Sequence, residues 1–193
     1  SMLRRLIGAD IQLMLRLSVD DLRIKADPVF VEQILMNLVV NARDAMPTGG
    51  KLMIETTSVD LDHAPKYQVN PIVQGEYVKI SVSDTGCGMS PEVQAQIFKP
   101  FFTTKEEGKG TGLGLSTVLS IVTESGGGLD VISEIGEGTR FDVYLPRAIS
   151  QIEVPADENV QVQSLEGHET ILLVEDEEEV RVLIRDELRK LGY

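Results

Sequence analysis

One cysteine and two histidines are all the thiol and imidazole groups in this chain of 193 residues. Cys87 has no second cysteine to pair with inside the chain. Without a Cys/His cluster a structural zinc site has no ligands, so the composition suits a reducing compartment, expected to be the cytoplasm. Also missing is any apolar run near the ~20 residues that a membrane-spanning helix needs, and no basic-then-apolar leader opens the chain. No direct membrane contact is expected from this segment, whether or not a longer parent is membrane-anchored. Positive charge is scarce as well, with 18 Lys and Arg against 31 Asp and Glu and a net charge of −13. A polyanion is repelled on average by such a surface, which argues against a nucleic-acid partner.

What is present suffices for a folded domain. Hydrophobic residues make up 42% and charged residues 25%, ordinary values for a protein that buries a core. The length allows one complete domain plus a fragment, or two small domains. The acidic excess is uneven: residues 151–193 hold 12 of the acidic and 4 of the basic side chains, which is −8 of the total of −13. That asymmetry predicts a boundary near residue 150.

Local patterns predict the elements. Ser1-Met2 reads as a cloning remnant and is left out of the reading. Ile11, Leu13, Leu15 and Leu17 alternate with polar or flexible neighbours, which predicts a strand with one buried face, and a second short strand is expected over Leu22 to Ala26. Asp27-Pro28 opens a helix, with the carboxylate as N-cap and proline at the first helical position. Its apolar stripe is Ile34, Leu35, Leu38, Val39, Ala42 and Ala45, and Pro47 to Gly50 ends it. Alternation predicts strands over Lys51 to Thr57, Tyr77 to Ser83, Leu129 to Ser133 and Arg140 to Leu145. A short helix is expected from Ser90-Pro91 to Ile97. A longer one runs from about Gly114 to Ser125, with Leu115, Val118, Leu119 and Val122 inward. Strands and helices without strict βαβ alternation favour an α+β fold, a two-layer sandwich, over a doubly wound sheet. Residues 148–167 read as a polar linker. Thereafter Thr170 to Val174 predicts one strand, and Val180 to Leu191 one helix, too little to bury a core alone.

Three segments carry possible chemistry. Gly108, Gly110, Gly112 and Gly114 stand in Glu107-Gly-Lys-Gly-Thr-Gly-Leu-Gly-Leu-Ser116, just ahead of a helix. Such a run either cradles an anion with its N–H groups or forms a flexible surface loop. It fits neither common phosphate motif: Gly108-Lys109 is followed by Gly110 and not by Ser or Thr, and Gly110-x-Gly112 meets Leu115 where a dinucleotide fingerprint needs glycine. Asn37 and Asn41 lie four apart on one helix face with Asp44 one turn on, positioned either to give oxygen ligands to Mg²⁺ and phosphate or simply to face water. Asp84-Thr-Gly-Cys-Gly88-Met89 follows an apolar strand; the aspartate can accept a hydrogen bond from an exocyclic amine, or the segment is a plain turn.

Taken in order, these segments resemble the ATP-binding catalytic domain of sensor histidine kinases, within the superfamily of DNA gyrase, Hsp90 and MutL. The resemblance rests on Asn37-Leu-Val-Val-Asn41-Ala-Arg-Asp44, Asp84-Thr-Gly-Cys-Gly88-Met89, Ile97-Phe-Lys-Pro-Phe-Phe102-Thr-Thr-Lys105, Gly108-Lys109-Gly110-Thr111-Gly112-Leu113-Gly114-Leu115 and Gly136-Glu-Gly-Thr139-Arg-Phe, and spans residues 3–147. It implies the Bergerat fold, with ATP and Mg²⁺ as cofactors beneath a lid. By the same resemblance Asp84 reads the adenine amino group, with Gly86, Gly88 and Met89 around the ring and Thr139 near the same group. Asn41 holds Mg²⁺ with Asn37 beside it. Gly110, Thr111, Gly112, Leu113, Gly114 and Leu115 bring lid amides to the phosphates, where Lys105 or Lys109 offsets their charge. Phe98, Phe101 and Phe102 anchor the lid. Many such kinases carry lysine where this chain has Asp44.

Hydrolases of the superfamily place a glutamate one turn before the metal asparagine, where it activates water. Asn37 stands there and has no useful basicity, so a kinase is expected, with an ATP-hydrolysing switch or a silent nucleotide-binding module as the alternatives. The resemblance implies an acceptor histidine on an upstream dimerisation and phosphotransfer domain, since His63 and His168 both read as surface residues. The tail Ile171-Leu-Leu-Val174-Glu-Asp176 resembles the first strand of a receiver domain, in which Glu175 and Asp176 hold Mg²⁺. The expected organisation is a catalytic domain over 3–147, a linker over 148–167 and a receiver fragment over 168–193.

Overall fold

The computed structural model describes residues 6–19, 22–24, 26–61, 69–70, 72–105 and 110–148, together with Arg181, Arg185, Leu188 and Arg189. The chain divides into two compact units, Ser1–Ile149 and Ser150–Tyr193. The four described residues of the second unit are helical. The expected linker from 149 onward and the strand over Thr170 to Val174 lie outside the described residues.

The first unit runs β1 (Ile11–Arg16), α1 (Pro28–Ala45), β2 (Gly50–Leu61), β3 (Gly75–Asp84), α2 (Pro91–Gln94), α3 (Gly114–Glu124), β4 (Gly128–Glu134) and β5 (Gly138–Pro146). The five strands form one sheet in the order β1-β2-β3-β5-β4. α1 is the crossover that lets β1 lie parallel to β2, since parallel neighbours need a long connection. The remaining pairs are antiparallel.

Helix starts follow the chemistry of their caps. The Asp27 carboxylate accepts from the Val29 N–H at 2.8 Å with Pro28 at the first helical position, as the sequence predicts. α1 buries Ile34, Leu38, Val39 and Ala42, and α3 buries Val118, Ile121 and Val122. Both rows pack on Leu52, Ile54, Ile80, Val82, Leu129, Phe141, Val143 and Leu145 from the sheet. Helices on one face of a mixed sheet make the expected two-layer sandwich. The other sheet face holds a buried polar pair: Asp142 is 3% exposed, and it accepts from Ser81 Oγ and from the Arg140 guanidinium. A charge that deep persists because it is paired and hydrogen-bonded.

Three expectations are corrected. Over Leu22 to Ala26 the described residues show no strand, only an isolated bridge from Ile24 to Arg147. In β1 the alternation does not bury one whole face: Ile11 is in the core and Leu13 packs against it, while Leu15 and Leu17 are exposed. β1 is an edge strand, and its alternate residues become more exposed from Ile11 toward Leu15. The segment expected to be helical as far as Ile97 is an α-helix only over Pro91–Gln94 and continues as turns.

Candidate functional site

The motif residues converge at one end of the helix layer. Asp84 closes β3 opposite Thr139 of β5, its ladder partner. Asp84 is 9% exposed, and its Oδ1 accepts from the Gly86 N–H at 2.8 Å. Burial pushes its pKa up, and the N–H groups of Gly86 and Thr139 oppose that only in part. No ion pair to Asp84 occurs among the described residues, so this is a desolvated acceptor without a counter-charge.

The loop after β3 backs directly onto α1. The Cys87 N–H donates to the Ala45 carbonyl at 3.0 Å, and a Cβ on Gly86 would come within 2.6 Å of that same oxygen. Gly88 has φ +65°, and a side chain there would overlap the Glu134 carbonyl. Only glycine meets both demands. Ser133 and Gln94 complete this end. Ser133 Oγ accepts from the Met89 N–H at 2.9 Å and lies 2.9 Å from Thr139 Oγ1. Gln94 Nε2 donates to the Met89 and Ser133 carbonyls. Neither residue stood out in the sequence, because a serine in a strand and a glutamine in a short helix carry no motif.

Asn37, Asn41 and Asp44 descend one face of α1. Among the described residues neither asparagine amide makes a hydrogen bond, although both are partly buried. α3 begins beside them: a Cβ on Gly114 would lie 3.3 Å from Asn37 Oδ1. Leu113 is its N-cap and provides no side-chain acceptor for the first-turn N–H groups, which leaves that end free for an anion.

The glycine-rich segment is fastened at its base. Phe101 donates its N–H to the Gly112 carbonyl at 2.9 Å. Both residues have positive φ, +66° and +64°, and Phe101 is the only non-glycine residue described with that conformation. Phe98 and Phe102 pack against the core, while Phe101 is 75% exposed and meets Gly112 through its backbone. Thr111 Oγ1 lies near the Leu113 N–H, and a Cβ on Gly110 would meet Thr103 Oγ1. Leu115 packs on the core from the first turn of α3. Lys105 Nζ contacts Asp44 Oδ2 at 2.5 Å, while Arg43 Nε and Nη2 donate to Asp44 Oδ1 at 2.8 and 2.6 Å. Lys109, Glu175 and Asp176 lie outside the described residues.

Five separated motifs thus form one constellation on α1, the β3 end, the β4–β5 hairpin and the start of α3. Comparison with known proteins shows the family. Residues 26–149 match the model of the histidine kinase-, DNA gyrase B- and HSP90-like ATPase family. The chain belongs to this family. The sensor kinase CckA of Brucella abortus (strain 2308) is 43% identical over 199 residues, covering 100% of this chain and 21% of that protein. The catalytic domain of the histidine kinase ThkA shares 31% identity at a TM-score of 0.55, over 76% of this chain and 84% of that one. Full-length ShkA, solved in complex with AMPPNP, shares 30% identity at a TM-score of 0.57, over 72% of this chain and 26% of that one. The chain therefore has the fold of a histidine kinase catalytic domain and spans about a fifth of its curated Brucella relative.

An apolar groove of about 850 Å³ lies at the other half of α1, lined by Leu22, Ile24, Pro28, Val31, Leu35 and Met36 among others. None of the motif residues lines it, and its wall is mainly apolar, with Arg23 and Glu32 the charged side chains on it.

Proposed function

We infer that this chain is the ATP-binding catalytic core of a hybrid sensor histidine kinase. Asp84 accepts from the adenine amino group, and its burial without a cation carries the reading: a desolvated carboxylate beside two glycines is costly to keep unless a ligand donor completes it. Thr139, hydrogen-bonded to Ser133, borders the same group. The phosphates lie toward Asn37, Asn41 and the uncapped start of α3. Occupation of ShkA by AMPPNP supports ATP as the nucleotide.

Mg²⁺ fits this donor set. No group of three or more His, Cys, Asp or Glu able to hold a metal occurs among the described residues, and Mg²⁺ characteristically takes few protein ligands and completes its shell with phosphate and water. Asn41 and Asn37 would hold it through their amide oxygens, and it would neutralise charge on the phosphate chain. The γ-phosphoryl group then passes to an imidazole nitrogen on an upstream helical domain. The nitrogen lone pair forms the new bond to phosphorus as the bond to the β–γ bridging oxygen breaks, and ADP leaves. Asn37, where a hydrolase needs a glutamate, disfavours activation of water instead.

The tail from Ile171 is read as the start of a receiver domain, with Glu175 and Asp176 as its Mg²⁺ acids. The Brucella relative matches across the whole chain, tail included, which supports this. The unit boundary at 149/150 supports a catalytic domain that ends near residue 147.

A separately made histidine-bearing hairpin, incubated with this chain and Mg-ATP, tests the reading. Phosphohistidine on the hairpin is expected. Steady phosphate release without transfer would make the chain a hydrolase, and absence of nucleotide binding would make it a silent module.

A further inference from the structure

The ion cluster at the last turn of α1 gives this site a feature of its own. Asp44 shares its two oxygens between two cations, Arg43 on Oδ1 and Lys105 on Oδ2. Arg43 is itself anchored, since its Nη1 donates to the Leu6 carbonyl at 3.2 Å. Lys105 stands outside any helix or strand; its N–H donates to Thr103 Oγ1, and its ammonium reaches across to the Asp44 carboxylate. Asp44 lies three residues beyond Asn41 and seven beyond Asn37, so all three side chains share one face of the helix within about 10 Å along its axis.

We propose that Asp44 is a positioning residue that competes with the nucleotide phosphates for the Lys105 ammonium. The proposal rests on the nucleotide reading given above. Without ligand the carboxylate neutralises Lys105 and holds residues 101–105 against α1. A polyphosphate arriving along the Asn37–Asn41 face is repelled by Asp44 and attracts Lys105, so the ammonium moves from carboxylate to phosphate oxygen. Arg43 stays on Asp44 and spares it from becoming an unpaired anion. A cation is thereby supplied to the phosphates from across the seam, under the control of an acid. Only ligands whose phosphate chain reaches Lys105 feel this exchange, so it discriminates ATP from adenosine.

Titration calorimetry of the full chain with ATP and with adenosine, joined to amide exchange at residues 101–105 in the nucleotide-free protein, tests the idea. Asp44→Asn is expected to tighten ATP by about three- to tenfold, the scale of a partly exposed charge pair. It should leave adenosine unchanged and speed exchange at 101–105. Lys105→Met should speed the same exchange but weaken ATP, again with adenosine unchanged, and Asp44→Glu should restore wild-type behaviour in both readouts. If Asp44→Asn weakens ATP, leaves it unchanged, or shifts adenosine as much as ATP, Asp44 does not compete for Lys105. Failure of the underlying nucleotide reading looks different: the unsubstituted chain then binds neither ligand, whereas the exchange readout still reports whether Asp44 holds Lys105. Unaltered exchange in Asp44→Asn overturns the tether in either case.

Discussion

Asp84 and Asp44 sit at the two ends of one site, and their surroundings push them in opposite directions. Asp84 is buried among backbone groups, and burial raises its pKa. Asp44 is also partly desolvated, but the hydrogen bonds and charges of Lys105 and Arg43 outweigh that and hold its pKa low. The same side chain thus serves two chemistries. At the sheet end it is a fixed acceptor whose position the backbone dictates. At the helix end it belongs to a labile surface ion cluster, its side chain 26% exposed. Recognition of a ring calls for the first arrangement, and accommodation of a highly charged chain calls for the second.

The contrast can be broken most severely at the rigid end. Gly88→Ala forces a Cβ into the Glu134 carbonyl at a positive φ, and should destabilise the domain by about 2 kcal/mol or more. Thermal denaturation would then show a midpoint about 4–8 °C lower, and an unshifted midpoint would contradict the packing of this loop. Asp84→Asn is next: ATP and adenosine should both bind at least about tenfold more weakly, by calorimetry, while the fold is unharmed. The sign follows from linkage. A carboxyl whose folded pKa is raised contributes stability that is present at low pH and lost as pH rises through that pKa, so a neutral amide at position 84 removes a cost at pH 7. A large fall in melting temperature would mean that Asp84 is structural.

Asn41→Ala should lower ATP affinity several-fold with Mg²⁺ and much less in EDTA, on the scale of one lost ligand or hydrogen bond. Equal losses in both conditions would remove its metal role. Acid provides a finer probe. Adenosine affinity should begin to fall at a pH above the ordinary aspartate value of 3.8, as Asp84 takes up its proton. Asp44 behaves oppositely: its contribution to stability is present above the ordinary carboxylate pKa and is lost only as pH falls through its lowered one. For so exposed a pair that loss is well under about 1 kcal/mol, so the stability curve should show at most a shallow step there.

Much of the fold was legible because its signals are local. The Asp27-Pro28 cap, the stripe of α1 and the alternation of β3 and β5 each depend on residues within a few positions of one another, and each stands where its pattern placed it. Leu15 and Leu17 misled because alternation reports which residues share a face, not whether another layer covers that face. The aromatic stretch named Phe101 but not how it is used: it meets Gly112 through its backbone, at φ +66°, with its ring exposed.

The order of strands, the seating of Gly86 on Ala45 and the meeting of Lys105 with Asp44 across 61 residues were decided only when the chain closed. Residue types and short spacings carry the chemistry of acceptors, amides and glycine turns, because those properties travel with the side chain. Burial, pairing and pKa do not travel with it. They depend on which groups distant segments bring within a few ångströms, and so two aspartates of identical covalent structure became a buried acceptor and an ion-paired surface acid.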